Sequence, residues 1–383
     1  DLFTHLPQNT RIVILDDADE DILIEADQAE DGQQALTAQS KDETAQEMDA
    51  PLRMPDREDR VLSLTISGEV ELGETPGEDP AWTENMGLLS GLKEIFEADD
   101  LTIMTLGSVL LEDGSSLHEE RPSAIFASPR AATLFSASGV DAVSVASGHE
   151  GDGHYTGRLE TRRALKENGV QMLGGGYSWI FEKEGRSIGL MAFSASSYDM
   201  SAELTLSSVR SLAESGCDAV LVLVAWDQSW SSWHDLHQEE VARSLVEAGA
   251  DLVCGVDGGI QGVSEIEGVP VIWSLGTLMY QQAHPISQEA LLADVQLHFD
   301  DEGYVGLMLK FLPARVSGTE GENDHSPRLA DDDEAERTWD ELTTIGVSGG
   351  IVLDGMTAED GIWFSAGAKT AAEQAIEETE TEP

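Results

Sequence analysis

The sequence predicts an α/β fold, a largely parallel or mixed β-sheet covered by helices. Three observations carry this. Apolar runs of strand length alternate with amphipathic stretches of helical period. One cassette, a helix end followed by a glycine, one residue, an aspartate and then a strand, occurs three times, in SASGVDAVSVASGH, AESGCDAVLVLVAW and VEAGADLVCGVDGG. Its spacing is irregular, so it is the helix-to-strand half of a βαβ unit and not a solenoid repeat. The longest apolar run, AVLVLVAW (219–226), is also of strand length, far short of the roughly 20 residues a membrane-spanning helix needs.

Taken in order, residues 1–60 read as an acidic N-terminal stalk or linker. TRIVILDDADEDILIEAD allows a short strand or two, and the rest is polar, acidic and poor in aromatics. A domain follows over 61–346, with strands expected at 62–66, 101–106, 141–146, 187–193, 219–225, 251–255 and 270–274. Helices are expected at 156–169 and 236–249, each stopped by a glycine. The run 291–316 predicts a β-hairpin turning at Asp300-Asp301-Glu302-Gly303, and 334–346 a closing helix. Residues 347–383 form a C-terminal extension with an acidic tail.

The 383 residues carry 21 Lys+Arg against 74 Asp+Glu, a net charge of −53. Binding to nucleic acid through phosphates is excluded, because that requires basic surface. Direct binding to an anionic membrane is disfavoured for the same reason. The charge suits solubility or salt adaptation, and it equally suits life outside the cell among anionic polymers and divalent cations. The two cysteines, Cys217 and Cys254, sit in matching cassettes. Aligning their strands at Asp218 and Asp251 offsets them by four residues, about 13 Å. No disulfide spans that distance, so two buried thiols are expected.

In open α/β sheets ligands gather beyond the carboxyl ends of the strands. The residues found there are Glu69, then Thr105, Gly107 and Ser108, then His149 and Asp152 in VSVASGHEGDGHY, then Trp226 and Asp227, and finally Asp257. Glu69, His149, Asp152, Asp227 and Asp257 would form an oxygen-rich pocket if they converge. Glu69, His149 and Asp257 are the candidate metal ligands, for Mg²⁺, Mn²⁺ or Ca²⁺ in preference to zinc. The stretch AWDQSWSSWHDLH sets Trp226, Trp230 and Trp233 within eight residues. Exposed, they would make an aromatic platform for sugar rings or peptide planes; packed, they would cover the sheet edge. No P-loop and no GxSxG elbow occurs.

The order of these strand ends resembles the CapA family, the poly-γ-glutamate capsule-synthesis proteins related to calcineurin-like metallophosphatases. SGVDAVSVASGHEGD is similar to the family's aGfDvvslANNHtlD, and LVEAGADLVCGVDGGIQG to its lidaGADlviGhHPHvlQg. GVPVIWSLGTLMY is similar to gkpIfYSLGNFvf, and the likeness spans about residues 60–345. It implies a four-layer α/β/β/α architecture, a calcineurin-like β-sandwich flanked by helices. The departures fall on the family's metal-ligand positions. Glu69 stands for an aspartate and Gly107 for a glutamate. Ser147-Gly148-His149 replaces Asn-Asn-His, Ala225 replaces a histidine, and Asp257 and Gly259 replace two more. A two-metal phosphoesterase needs several such ligands together. The resemblance with these losses implies a capsule-associated protein without catalytic residues, a scaffold or binding protein. It would be extracellular or cell-surface tethered, its partners a membrane-bound polymer synthase, an anionic envelope polymer or a second copy of itself. The alternative is a divalent-metal-dependent hydrolase with a rebuilt site.

Overall fold

The computed structural model describes residues 60–73, 87–112, 123–227, 231–280, 287–319, 322–346 and 361–366. The expected stalk, apart from Arg60, lies outside them. Two mixed sheets stack face to face. The first is built from β1 (Arg60–Val70), β2 (Leu101–Leu106), β5 (Ala142–Ser144), β6 (Gln171–Leu173), β13 (Thr277–Met279), β14 (Glu289–Phe299), β15 (Tyr304–Arg315), β16 (Arg328–Leu329) and β17 (Ile362–Ser365). Its order is β16-β15-β14-β1-β2-β5-β6, with β13 beside β1 and β17 beside β15. The second contains β7 (Ser178–Lys183), β8 (Arg186–Ser194), β9 (Ala219–Ala225), β10 (Leu252–Gly255), β11 (Ile260–Ile266) and β12 (Val269–Leu275), in the order β11-β12-β10-β9-β8-β7. A third, two-stranded piece pairs β3 (Val109–Leu110) with β4 (Phe126–Ala127).

The apolar pattern of β9 explains the layering. Ala219, Leu221, Leu223 and Ala225 point into the core between the sheets, where they join Leu64, Ile66, Ile103 and Leu190. Val220, Val222 and Val224 point the other way, under the helices α4 (Ala195–Glu214) and α5 (Leu236–Glu247). A strand buried on both faces reads as an unbroken apolar run. On the outer face of the first sheet, Met104 and Val143 pack with Phe135 and Leu165. These two come from α2 (Ala132–Ala137) and α3 (His154–Glu167); a short α1 (Lys93–Phe96) adds Phe96. The closing helix is α6 (Asp332–Gly346). The α/β/β/α sandwich implied by the family resemblance is therefore the observed architecture.

The cassette acquires a physical meaning. Its glycines, Gly139, Gly216 and Gly249, end helices at positive φ, where only glycine is unstrained. Each aspartate then clamps the neighbouring parallel strand twice. The Asp141 carboxylate accepts the Thr102 N–H (2.9 Å), and its own N–H donates to the Thr102 carbonyl (3.1 Å). Asp218 does the same to Ser187 and Asp251 to Val220. Asp100, after β1 and before β2, is a fourth copy acting on Ser63.

All seven expected core strands form, within a few residues of their expected bounds, as do the hairpin and both expected helices. Two details are corrected. The β9/β10 register pairs Leu221 with Leu252, two residues away from an alignment on Asp218 and Asp251. The even shift leaves every side chain on its face and moves Cys217 and Cys254 further apart. Both are free thiols, with Cys254 buried and Cys217 only half-buried. Of the C-terminal extension, Ile362–Ser365 adds a strand to β15.

A candidate site where two sheets converge

The carboxyl ends of both sheets meet at one edge. Register places Thr277, Glu69, Thr105 and Ser144 side by side across β13, β1, β2 and β5. The chain passes from the second sheet to the first through Gly276 (φ 78°), between β12 and β13. Gly68 faces that crossing so closely that a Cβ there would stand 1.7 Å from the Gly276 carbonyl oxygen and 3.3 Å from that of Val256. Backbone contact is thus what brings Glu69 to Asp257.

Glu69 is buried and lies over Gly107, where an added Cβ would come within 2.5 Å of its Oε1. The glycine leaves room for the carboxyl. Burial first, and then the charges of Glu71, Asp257 and Asp227, push the Glu69 pKa well above the carboxylate range. Asp257 is also buried, and its two oxygens accept the N–H groups of Trp226 (2.8 Å) and Asp227 (2.9 Å). Burial raises it to about 7 in spite of those bonds, with the Asp227 charge adding to the rise. Asp227 holds a left-handed backbone (φ 57°), and its Oδ2 accepts the Ser196 N–H at the start of α4 (2.9 Å). A carboxylate there complements the helix dipole.

The loop after β5 is a chain of turns. The Ser147 hydroxyl accepts the His149 N–H (3.1 Å), and His149 Nδ1 lies 2.8 Å from Asp152 Oδ2. That same oxygen accepts the Ile125 N–H (3.1 Å), which ties down the strand β4 region. His149 therefore orients a structural carboxylate. Three members of the expected pocket, Glu69, Asp227 and Asp257, are within electrostatic reach of one another. His149 and Asp152 form a separate pair with each other.

Trp226 is not part of an exposed platform. It is buried, its indole N–H donates to the Trp273 carbonyl (2.6 Å), and its ring packs 6.4 Å from that of Trp273. It packs with Val220, Val222 and Val224 on the helix-covered side of β9. Trp233 is 47% exposed, and Trp230 lies outside the described residues.

Glu150 was not marked by the sequence. Its Oε1 accepts the hydroxyls of Ser197 (2.6 Å) and Ser194 (3.2 Å) at the N-terminus of α4. Burial raises its pKa, Ser197, Ser194 and Arg158 oppose the rise, and Asp227 adds to it. The buried Thr105 hydroxyl has no hydrogen-bond partner among the described residues.

These residues do not fit the two-metal centre that the fold family implies. Among the described residues no three His, Cys, Asp or Glu side chains are grouped as metal ligands. Asp257 already gives each of its carboxylate oxygens to a backbone N–H, of Trp226 and of Asp227. The edge is instead an acidic cluster in which burial, and then mutual repulsion, raises the Glu69 carboxyl and lifts Asp257 to about 7.

No curated protein matches the chain. Among solved structures, TT1561 of Thermus thermophilus is similar at 12% identity and a TM-score of 0.35, covering 61% of this chain and 95% of that one. The family model of the bacterial capsule synthesis protein PGA_cap matches residues 63–282, more than half of the chain. The chain belongs to this capsule-synthesis family, and its function is associated with making capsule.

Proposed function

We propose that the protein is a non-catalytic, surface-tethered scaffold that supports a membrane-bound synthase in assembling an anionic envelope polymer of the poly-γ-glutamate type. The observation that carries the reading is how the acidic edge is used. Asp257 holds the N–H groups of Trp226 and Asp227, Asp227 holds Ser196, and Asp152 holds Ile125 and His149. Their oxygens position loops and a helix. A surface location fits the net charge of −53, and no described helix is long and apolar enough to cross a membrane.

A divalent-metal-dependent hydrolase is the second reading. It is favoured by the convergence of Glu69, Asp227 and Asp257 beside the unpartnered Thr105 hydroxyl. Capsule polymer measured in a host relying on Glu69→Gln separates the two. The substitution is nearly isosteric and keeps the protonated form's hydrogen-bonding capacity. A scaffold keeps polymer output near the parental level. Loss of output from a variant whose melting temperature is not lowered would overturn the scaffold reading in favour of the hydrolase.

A further inference from the structure

In a chain this acidic, helix α3 is an anomaly. Within His154–Glu167 it carries Arg158, Arg162, Arg163 and Lys166 against only Glu160 and Glu167. Elsewhere Lys93, Lys183, Arg186, Arg210, Arg243, Arg315 and Arg328 each pair with a carboxylate, and the cations without an ion pair among the described residues, Arg60, Arg130, Lys310 and Arg337, are scattered over separate elements. None of the four α3 cations makes an ion pair among the described residues. With dozens of acids available, four cations left unpaired on one helix are open to an external anion.

Their spacing is ordered. Arg158, Arg162 and Lys166 stand at i, i+4 and i+8, on one face and about 6 Å apart along the axis. Arg158 lines an open cleft between α3 and α4, together with Glu150, Tyr177, Ser197, Ser201 and Ser208. The Arg162 guanidinium sits 4.3 Å from the Tyr177 ring centroid, which holds it at the same cleft. Helix α4 breaks at Ser201 (φ −152°, ψ 49°), and a break of this kind frees backbone groups that intact helix would consume. The cleft thus offers a guanidinium, several hydroxyls and one carboxyl.

We propose that this cleft and the Arg158–Arg162–Lys166 row bind an extended acidic polyamide. Arg158 and the serine hydroxyls take a carboxylate, Glu150 takes an amide N–H, and Arg162 and Lys166 take the next carboxylates along. Side chains on one face of an extended polyamide repeat at about 6.6–6.8 Å, close to the cation spacing. Carboxylate is preferred over phosphate because Glu150 and the nearby Asp227 repel a more highly charged anion. The inference rests on the reading that the protein handles an envelope polymer. The row supplies local attraction that the overall charge denies.

Fluorescence anisotropy with labelled deca-L-glutamate and the intact chain at low salt tests it. We expect saturable binding, weakened at least tenfold by the double variant Arg158→Gln with Arg162→Gln and about threefold by Lys166→Gln. Arg163→Gln, off the row, should leave it unchanged. Circular dichroism and melting confirm that each variant is folded. The proposal is overturned if the intact protein does not bind. It is also overturned if the double variant binds as well as the parent, or if deca-glutamine, polyphosphate or oligogalacturonate binds as tightly. Polymer output with Glu69→Gln is a separate readout, so failure here leaves the scaffold reading standing, and the converse holds.

Discussion

The two ends of the β-sandwich use the same side chains to opposite effect. At the amino end of the parallel strands, Asp100, Asp141, Asp218 and Asp251 each accept a neighbouring strand's N–H and return their own to its carbonyl. Cations stand beside two of them: Lys183 bonds Asp100, and Arg186 bonds Asp218 (3.1 Å). Burial pushes Asp100 up, but Lys183 and Ser63 outweigh it and hold its carboxyl below the usual range. At the carboxyl end, Asp257 accepts two backbone N–H groups and has no ion pair among the described residues, and Glu69 and Asp227 crowd it. A bonded cation is what lowers the Asp100 carboxyl; Asp141, a clamp with no ion pair among the described residues, is raised chiefly by its burial, as Asp257 is.

The largest effect should come from breaking the backbone contact that creates the acidic edge. Gly68→Ala sets a Cβ against the Gly276 carbonyl, and neither backbone yields easily. We expect a loss of about 4 kcal/mol or more, read as the urea midpoint. A loss under about 1 kcal/mol would show that the two sheets do not depend on this approach.

Next come the clamps. Asp218→Ala strips the Ser187 N–H of its acceptor and Arg186 of its partner, and should cost about 3 kcal/mol. Asp251→Ala frees the Val220 N–H and should cost about 2 kcal/mol. Equal costs would mean that the cation adds nothing to the clamp.

The smallest effect concerns pH. Asp257 has a pKa of about 7 folded against 3.8 as its ordinary value, and Glu69 shifts the same way. Raised pKa values mean that the folded state binds more protons, so their contribution is complete below about pH 4 and lost as pH climbs through 7. Asp99, half-buried and raised to about 6 chiefly by desolvation, acts in the same direction. From pH 5 to pH 8 the Asp257 share should fall by about 2 kcal/mol. Glu69→Gln should flatten the profile and raise the melting temperature at pH 8. A steeper profile in that variant would place the repulsion elsewhere.

Much of the fold was legible in the sequence, because strands buried on both faces and glycine helix stops are local signals. The cassette was visible as a pattern, while its function required knowing which strands are neighbours. Helix α4 escaped notice because ASSYDMSAELTLSSVRSLAE is rich in serine, a residue that competes for backbone bonds, and because it breaks at Ser201. The site was half legible. Strand ends located Glu69, Asp227 and Asp257, but their convergence depends on the crossing at Gly276, which joins two sheets. Trp226 misled, since its neighbours in sequence do not reveal which side of β9 it takes. Glu150, one of 74 acids, carried no signal until two serine hydroxyls were found on it.

The pairing of β1 with β14 constrains how the chain can be made. Ser67 pairs with Leu292 and Arg60 with Phe299, so the first core strand waits roughly 230 residues for its antiparallel partner, a very non-local contact. At about 5–20 residues per second of synthesis, the apolar flank of β1 goes uncovered for on the order of 10–50 s. The family match ends at residue 282, before that partner begins. A fragment cut there would carry the whole family signature and still present an unpaired strand edge, the shape from which aggregation starts. Protection of the half-made chain, by a chaperone or by its own like charges, is therefore part of what this topology demands.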